Sequence, residues 1–305
     1  MSILIGLAHE AIFNAVWPSA VAFATPSGDP MTPLLYALCI AALIALAAWR
    51  LFFYRRARRQ RLAAADFPAQ WSRWLERDMA LYRRLPAPVR ERVHAGIQIL
   101  MDELEFYGCN GLELTEEMRL LVVAHGALLV SGLSMDYYDS LQAVLIYPDA
   151  YRAPTHHREG PVVVEGTDTR LGESWGEGRV ILVWATLQAE AADEWAASNV
   201  ALHEFAHQLD QLDGSSDGAP PPHSGEQARN WQAVFSDAWE RLKLEASRGD
   251  TVLDPYGATN PAEFFAVATE AFFCDPQALR QDEPRLYECL RGFYQLSPAE
   301  WAAHT

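Results

Sequence analysis

The sequence predicts an α+β fold, mainly helical with a small mixed sheet, preceded by an apolar N-terminal helix. Three observations support this prediction. Helical patterns of apolar residues recur along most of the chain, short β-branched segments lie in its middle, and one long uncharged stretch lies near its start. Half of the residues are hydrophobic, which suffices for a substantial core.

The first predicted element is an uncharged apolar stretch from Met31 to Trp49. With the apolar residues that follow Arg50 it approaches the ~20 residues needed to cross a bilayer, so we predict a transmembrane helix over residues 31–54. Residues 1–30 contain no Lys or Arg and remain an unassigned extension. The positive-inside rule then places the basic linker, residues 55–66, in the cytoplasm. The arginines behind this orientation are Arg50, Arg55, Arg56, Arg58, Arg59 and Arg61.

Residues 67–305 are predicted to form one domain. Apolar residues at helical spacing, with capping residues in front of several of them, indicate helices over Pro68 to Arg84, Ala87 to Glu105, Thr115 to Leu133, Val200 to Leu212 and Glu226 to Ala246, and from Pro261 onward. Segments rich in β-branched residues indicate strands at Leu141 to Tyr147, Pro161 to Glu165 and Arg179 to Thr186.

The charge and the cysteines exclude some classes of function. The chain has a net charge of −16 although its first 61 residues are net positive, so the domain is strongly acidic. Such a domain repels phosphate backbones, and we expect no nucleic acid as a partner. The four cysteines include no C-x-x-C pair, which fits a reducing compartment.

The pentapeptide from His203 to His207, H-E-x-x-H, is the most informative motif. On a helix, positions i and i+4 share one face, so His203 and His207 can bind one metal ion. Glu204 then stands beside the open coordination position, where a general base is needed. Asn199 or Ser198 can cap this helix and Gly214 can end it. The sequence therefore predicts one zinc ion per chain.

A zinc site of this kind needs a third protein ligand, and two carboxylates compete for the role. Asp213 lies six residues after His207, where a metzincin carries its third ligand, but Asp210 stands where the metzincin glycine belongs. Glu263 lies in the first turn of a helix that Asn260 caps and Pro261 begins. We prefer Glu263.

Two further residues have competing interpretations. Glu270, seven residues after Glu263, can hydrogen-bond a metal-bound imidazole or can be an ordinary structural carboxylate. His125 lies in an apolar helix, which favours a satisfied core histidine over a metal ligand.

These motifs together resemble the Mlc titration factor A family of zinc metallopeptidases. The resemblance covers roughly residues 67 to 298, and more distantly the helix pair is similar to the catalytic domain of anthrax lethal factor. The segments that carry it are Gly108 to Thr115, Glu117 to Arg119, Tyr147 to Tyr151, His203 to Asp210, Tyr256 and Asn260 to Ala266.

The resemblance implies a zincin-like (gluzincin) metallopeptidase domain. It makes His203, His207 and Glu263 the zinc ligands, Glu204 the catalytic base and Tyr256 a catalytic residue. It also implies aminopeptidase-like hydrolysis of peptide or protein substrates and binding to a glucose-responsive transcriptional repressor.

A different class of function remains open: a membrane-tethered protein that sequesters a regulator and whose zinc site is structural or vestigial. The intact Glu204 argues against it, because a structural site has no use for a base. For location, the predicted anchor implies a single-pass protein of the inner membrane with its catalytic domain in the cytoplasm. The alternative is a cytoplasmic protein like the soluble family members.

Overall fold

The computed structural model describes residues 31–149, 178–222, 224–246 and 251–301. The chain divides into two compact units, Met1–Ala57 and Arg58–Thr305. In chain order, the helices are α1 Met31–Ala63, α2 Ala69–Asp78, α3 Ala80–Arg84, α4 Ala87–Glu103, α5 Glu116–Leu129, α6 Trp184–Ala192, α7 Val200–Asp210, α8 Gly225–Ala246, α9 Pro261–Cys274, α10 Pro276–Asp282 and α11 Pro284–Tyr294. Short 3₁₀ turns span Met135–Tyr138, Gln211–Asp213, Pro255–Ala258 and Pro298–Glu300.

The apolar stretch and the arginine cluster form one continuous helix, α1, so the residues predicted as a linker are helical as far as Ala63. Over the described residues, no helix is both long enough and apolar enough to span a membrane. The transmembrane helix predicted over residues 31–54 is therefore not supported. The length of the uncharged stretch does not show that the helix runs on through its arginines to Ala63. The predicted extension, residues 1–30, lies outside the described residues.

Arg59, near the end of α1, is almost fully buried. Its guanidinium binds both carboxylate oxygens of Glu103, at 2.9 and 2.8 Å, and also contacts Asp136 at 3.0 Å and Asp139 at 2.9 Å. Burial alone would lower the pKa of Arg59, because it disfavours the charged guanidinium. The hydrogen bond and the negative charge of Glu103 outweigh this effect, so the pKa of Arg59 is raised. This network belongs to the unit that begins at Arg58.

The sheet consists of β1 Glu105–Gly108, β2 Ala143–Tyr147 and β3 Arg179–Val183 in the order β1-β2-β3. The described strands are all parallel, where a mixed sheet was predicted. The predicted strand at 161–165 lies outside the described residues. β3 stops three residues earlier than predicted, because Trp184 already begins α6.

The two helices that carry the predicted site lie in the core. Phe205 of α7 packs its ring against Gly126 of α5, where an added Cβ would come within 2.7 Å of that ring. α9 packs on α7 and is buried along most of its length. The architecture is thus α+β and mainly helical, as predicted, with the H-E-x-x-H helix between α5 and α9.

Candidate metal centre

Helix α7 places the two histidines of the motif on one face. Asn199 caps the helix, since its side-chain Oδ1 accepts a hydrogen bond from the backbone N–H of Leu202 at 3.0 Å. Apolar residues that are fully buried anchor α7 in the core: Leu202, Phe205, Ala206 and Leu209. His203 is buried and His207 is partly exposed, so the pair lies at the edge of the core.

Helix α9 supplies the carboxylate. Asn260 caps it through a hydrogen bond from the backbone N–H of Glu263 to its Oδ1 at 3.0 Å, and Pro261 occupies the first helical position. This cap fixes the backbone of Glu263 in the first turn, and its buried side chain points toward the histidines.

Three ligand atoms converge between the helices. The Nε2 atom of His203 lies 3.0 Å from Oε2 of Glu263 and 3.2 Å from Nε2 of His207. The Nε2 of His207 lies 3.6 Å from the same carboxylate oxygen. A tetrahedral zinc ion with bonds of ~2.0–2.1 Å separates its ligands by about 3.3 Å, so these three groups fit a zinc ion.

Asp213, the other candidate for the third ligand, lies in the 3₁₀ turn that follows α7. Asp213 is exposed, and its Oδ1 accepts a hydrogen bond from the backbone N–H of Ser215 at 2.9 Å. Within the described part of the chain, the metal-ligand cluster found is His203, His207 and Glu263. The structure thus brings Glu263, rather than Asp213, to the histidines.

In the cluster, the ionised forms of His203 and Glu263 stabilise each other against the cost of burial. Burial alone would lower the pKa of His203, but hydrogen bonds with Glu263 and Glu270 outweigh it and raise the pKa to about 10. Burial would raise the pKa of Glu263, but the two histidines hold it at about 2. Burial raises the pKa of Glu204, against the opposing effect of both histidines.

Glu270 orients His203 from the far side of the ring. The Nδ1–H of His203 donates to Oε1 of Glu270 at 2.7 Å, which leaves Nε2 to face His207 and Glu263. The other oxygen of Glu270 accepts from the backbone N–H of Asn199 at 2.6 Å. Glu270 is therefore the hydrogen-bond partner of a candidate ligand histidine, which is the first of its two predicted interpretations.

Sequence reasoning missed the contact by which Asn199, the partner of Glu270, is joined to His125 of α5. The side-chain Nδ2 of Asn199 lies 3.1 Å from Nε2 of His125, and Nδ1 of His125 donates to the carbonyl of Leu121 at 2.8 Å. Burial lowers the pKa of His125 to about 4, so the ring is neutral. His125 is a satisfied core histidine, as predicted. Its contact with Asn199 joins residues 74 positions apart, and nothing in the local pattern indicates it.

Tyr256 lies beside the cluster on the 3₁₀ turn Pro255–Ala258. Asp254 caps this turn by accepting the backbone N–H of Tyr256 at 2.8 Å. The ring centre of Tyr256 is 6.3 Å from that of His203. The tyrosine predicted from the resemblance is therefore close to the candidate ligands.

Comparison with known proteins finds one family match and several relatives. Residues 54–295 match the family described as glucose-regulated metallo-peptidase M90. The chain is 36% identical to the uncharacterized protein slr2042 of Synechocystis sp. over 271 residues, which are 88% of this chain and 98% of that protein. It is 29% identical to Mlc titration factor A of Yersinia pestis and of Yersinia pseudotuberculosis, over 77% of this chain and 87% of each relative.

Proposed function

The chain belongs to the glucose-regulated metallopeptidase family M90, and on this premise we propose that it is a zinc-dependent, aminopeptidase-like peptidase. The observation that carries the proposal is the convergence of His203, His207 and Glu263 with Glu204 placed between the two histidines in sequence. The paired helices α7 and α9 support a zincin-like fold of the gluzincin type.

The donor set favours zinc over harder metals. Two imidazoles and one carboxylate are a common set of catalytic zinc ligands, whereas Mg²⁺ and Ca²⁺ prefer oxygen ligands alone. Zinc held there would supply a nucleophile at neutral pH, because it would lower the pKa of a water molecule to about 7. His203, His207 and Glu263 would hold it.

The remaining roles fall to groups of this chain. Glu204 accepts the proton of the attacking water and delivers it to the departing amine, and its raised pKa suits both transfers. Glu270 keeps Nε2 of His203 directed at the centre by holding Nδ1. Tyr256 donates a hydrogen bond to the oxygen that gains charge as the peptide carbonyl is attacked.

A second function is supported by the names of the relatives. The relatives from Yersinia, each 29% identical, are called Mlc titration factor A. We infer from these names that the chain also binds a transcriptional repressor protein, with or without hydrolysis. The four unpaired cysteines are consistent with a cytoplasmic location for this binding. A purely structural zinc site remains the weaker alternative, because Glu204 has no role in it.

The proposal is tested with full-length protein loaded with one zinc ion per chain. A peptide library with free and with acetylated N-termini is incubated with it, and the products are identified by mass spectrometry. We expect cleavage from free N-termini that stops with a chelator and returns with zinc. Zinc-loaded protein that cleaves no peptide, yet retains a repressor on an affinity column, would favour the second function.

A further inference from the structure

The loop that follows the H-E-x-x-H helix is fastened by a buried carboxylate. Asp210, the last residue of α7, is fully buried, and its Oδ2 accepts the backbone N–H of Gly218 at 3.0 Å. The carbonyl of the same glycine accepts a hydrogen bond from the indole Nε1–H of Trp231 at 3.0 Å. Both backbone groups of Gly218 are therefore held, one from α7 and one from α8.

Gly218 in turn lies directly against the start of α9. Its φ is +73°, and an added Cβ would lie 2.2 Å from the carbonyl oxygen of Pro261. Pro261 is the first residue of α9, and Glu263 lies two residues further on, in a turn that Asn260 caps. Any displacement of Gly218 toward α9 thus acts on the turn that carries the carboxylate.

These contacts form a bridge between the two helices that carry the candidate ligands. At one end, Asp210 lies three residues after His207 on α7. At the other end, Gly218 touches the residue that begins α9. The hydrogen bonds and the packing contact of this bridge do not include His203, His207 or Glu263, although the charge of Asp210 acts on His207.

We propose that Asp210, Gly218 and Trp231 are positioning residues that set the distance of Glu263 from the two histidines. This inference rests on the proposed metal centre. It assigns a role to Asp210, which stands where a metzincin would carry a glycine: the aspartate holds the loop that seats the helix of the third ligand.

The loop contains its own matched control for Gly218. Gly214 also has a left-handed φ, +85°, but an added Cβ there meets nothing within 4 Å. Gly214→Ala and Gly218→Ala therefore share the cost of a left-handed alanine, and only Gly218→Ala pushes against Pro261. Asp213 is the control for Asp210, because its carboxylate accepts the backbone N–H of Ser215 and not that of Gly218.

The experiment measures zinc affinity of the full chain by competition with a chromogenic chelator, and the visible spectrum of the cobalt-substituted protein, each below the variant's thermal unfolding midpoint. We expect Gly218→Ala and Asp210→Ala to bind zinc roughly 10- to 100-fold more weakly than Gly214→Ala and Asp213→Ala, with altered cobalt spectra.

Equal zinc affinity of Gly218→Ala and Gly214→Ala would overturn the inference. Equal zinc affinity of Asp210→Ala and Asp213→Ala would overturn it as well. If Gly218→Ala fails to fold, the aspartate pair alone decides. A wild-type chain that binds no zinc would reject the proposed metal centre, and it is recognised before any variant is compared.

Discussion

The Nδ1–H of His203 on α7 donates a hydrogen bond to the carboxylate of Glu270 on α9, at 2.7 Å. This hydrogen bond holds the ring of His203 so that Nε2 is directed toward Glu263, whose carboxylate lies on the same helix as Glu270. α9 therefore contributes one carboxylate to the candidate metal centre and a second that orients a candidate ligand. Asn199 holds the second carboxylate from the start of α7.

Replacing Glu270 tests this orientation. We expect Glu270→Ala to weaken zinc binding roughly 10- to 100-fold, because the His203 ring loses the partner of its Nδ1. The control is Glu190→Ala, which removes a carboxylate that accepts the backbone N–H of Val200 at 2.6 Å but has no bond to a candidate ligand. Chelator competition measures both. Equal zinc affinity in the two variants would show that Glu270 does not orient His203.

The third ligand is tested by a second pair of variants. Glu263→Ala should release zinc at chelator concentrations that the wild type tolerates, because one of three protein ligands is gone. Asp213→Ala should retain zinc, since its carboxylate caps a turn. Metal content after dialysis against chelator measures both outcomes. Retention in Glu263→Ala with loss in Asp213→Ala would reverse the assignment.

The buried His125 makes stability depend on pH. Its folded pKa of about 4 lies below the ordinary value of 6.5, so the unfolded chain binds more protons between these values. The stability that the neutral His125 ring contributes is fully present above pH ~6.5 and is lost as pH falls toward 4. Between pH 7.5 and 5 the wild type should lose about 2 kcal/mol more unfolding free energy than His125→Gln. Denaturant unfolding of metal-free protein measures this difference, and equal losses would contradict the burial of a neutral histidine.

The end of α1 is expected to contribute to stability of the unit it belongs to. Arg59→Met leaves the largely buried Glu103 without its bidentate partner and should cost about 3 kcal/mol in unfolding free energy. Arg58→Met breaks the more exposed pair with Asp102 and should cost less than about 1 kcal/mol. Urea unfolding of both variants provides the comparison. Similar costs would mean that the Arg59 network does not stabilise the fold.

The sequence predicted the two site helices well because their signals are local. Asn199 and Asn260 each cap a helix through their own side chain, and the i,i+4 spacing of His203 and His207 follows from helix geometry alone. The choice of Glu263 rested on the same kind of local signal, the cap and proline that begin α9.

Features that depend on distant partners were not predictable in this way. β1 has four residues and is defined by pairing with β2, 38 residues further along the chain. The link from Asn199 to His125 and the loop contact of Gly218 with Pro261 likewise arise only on folding. The apolar run after Met31 predicted a membrane span, but its length and polarity do not reveal that the helix continues to Arg59 and its buried carboxylate partner.

The most direct test of the proposed peptidase is Glu204→Gln in the full chain, compared with wild type at equal zinc content. The glutamine cannot accept the proton of the attacking water, whereas the proposed ligands His203, His207 and Glu263 are unchanged. We expect one zinc ion per chain in both proteins and peptide hydrolysis at least ~10²-fold slower in the variant. Hydrolysis by zinc-loaded Glu204→Gln at the wild-type rate would contradict the account.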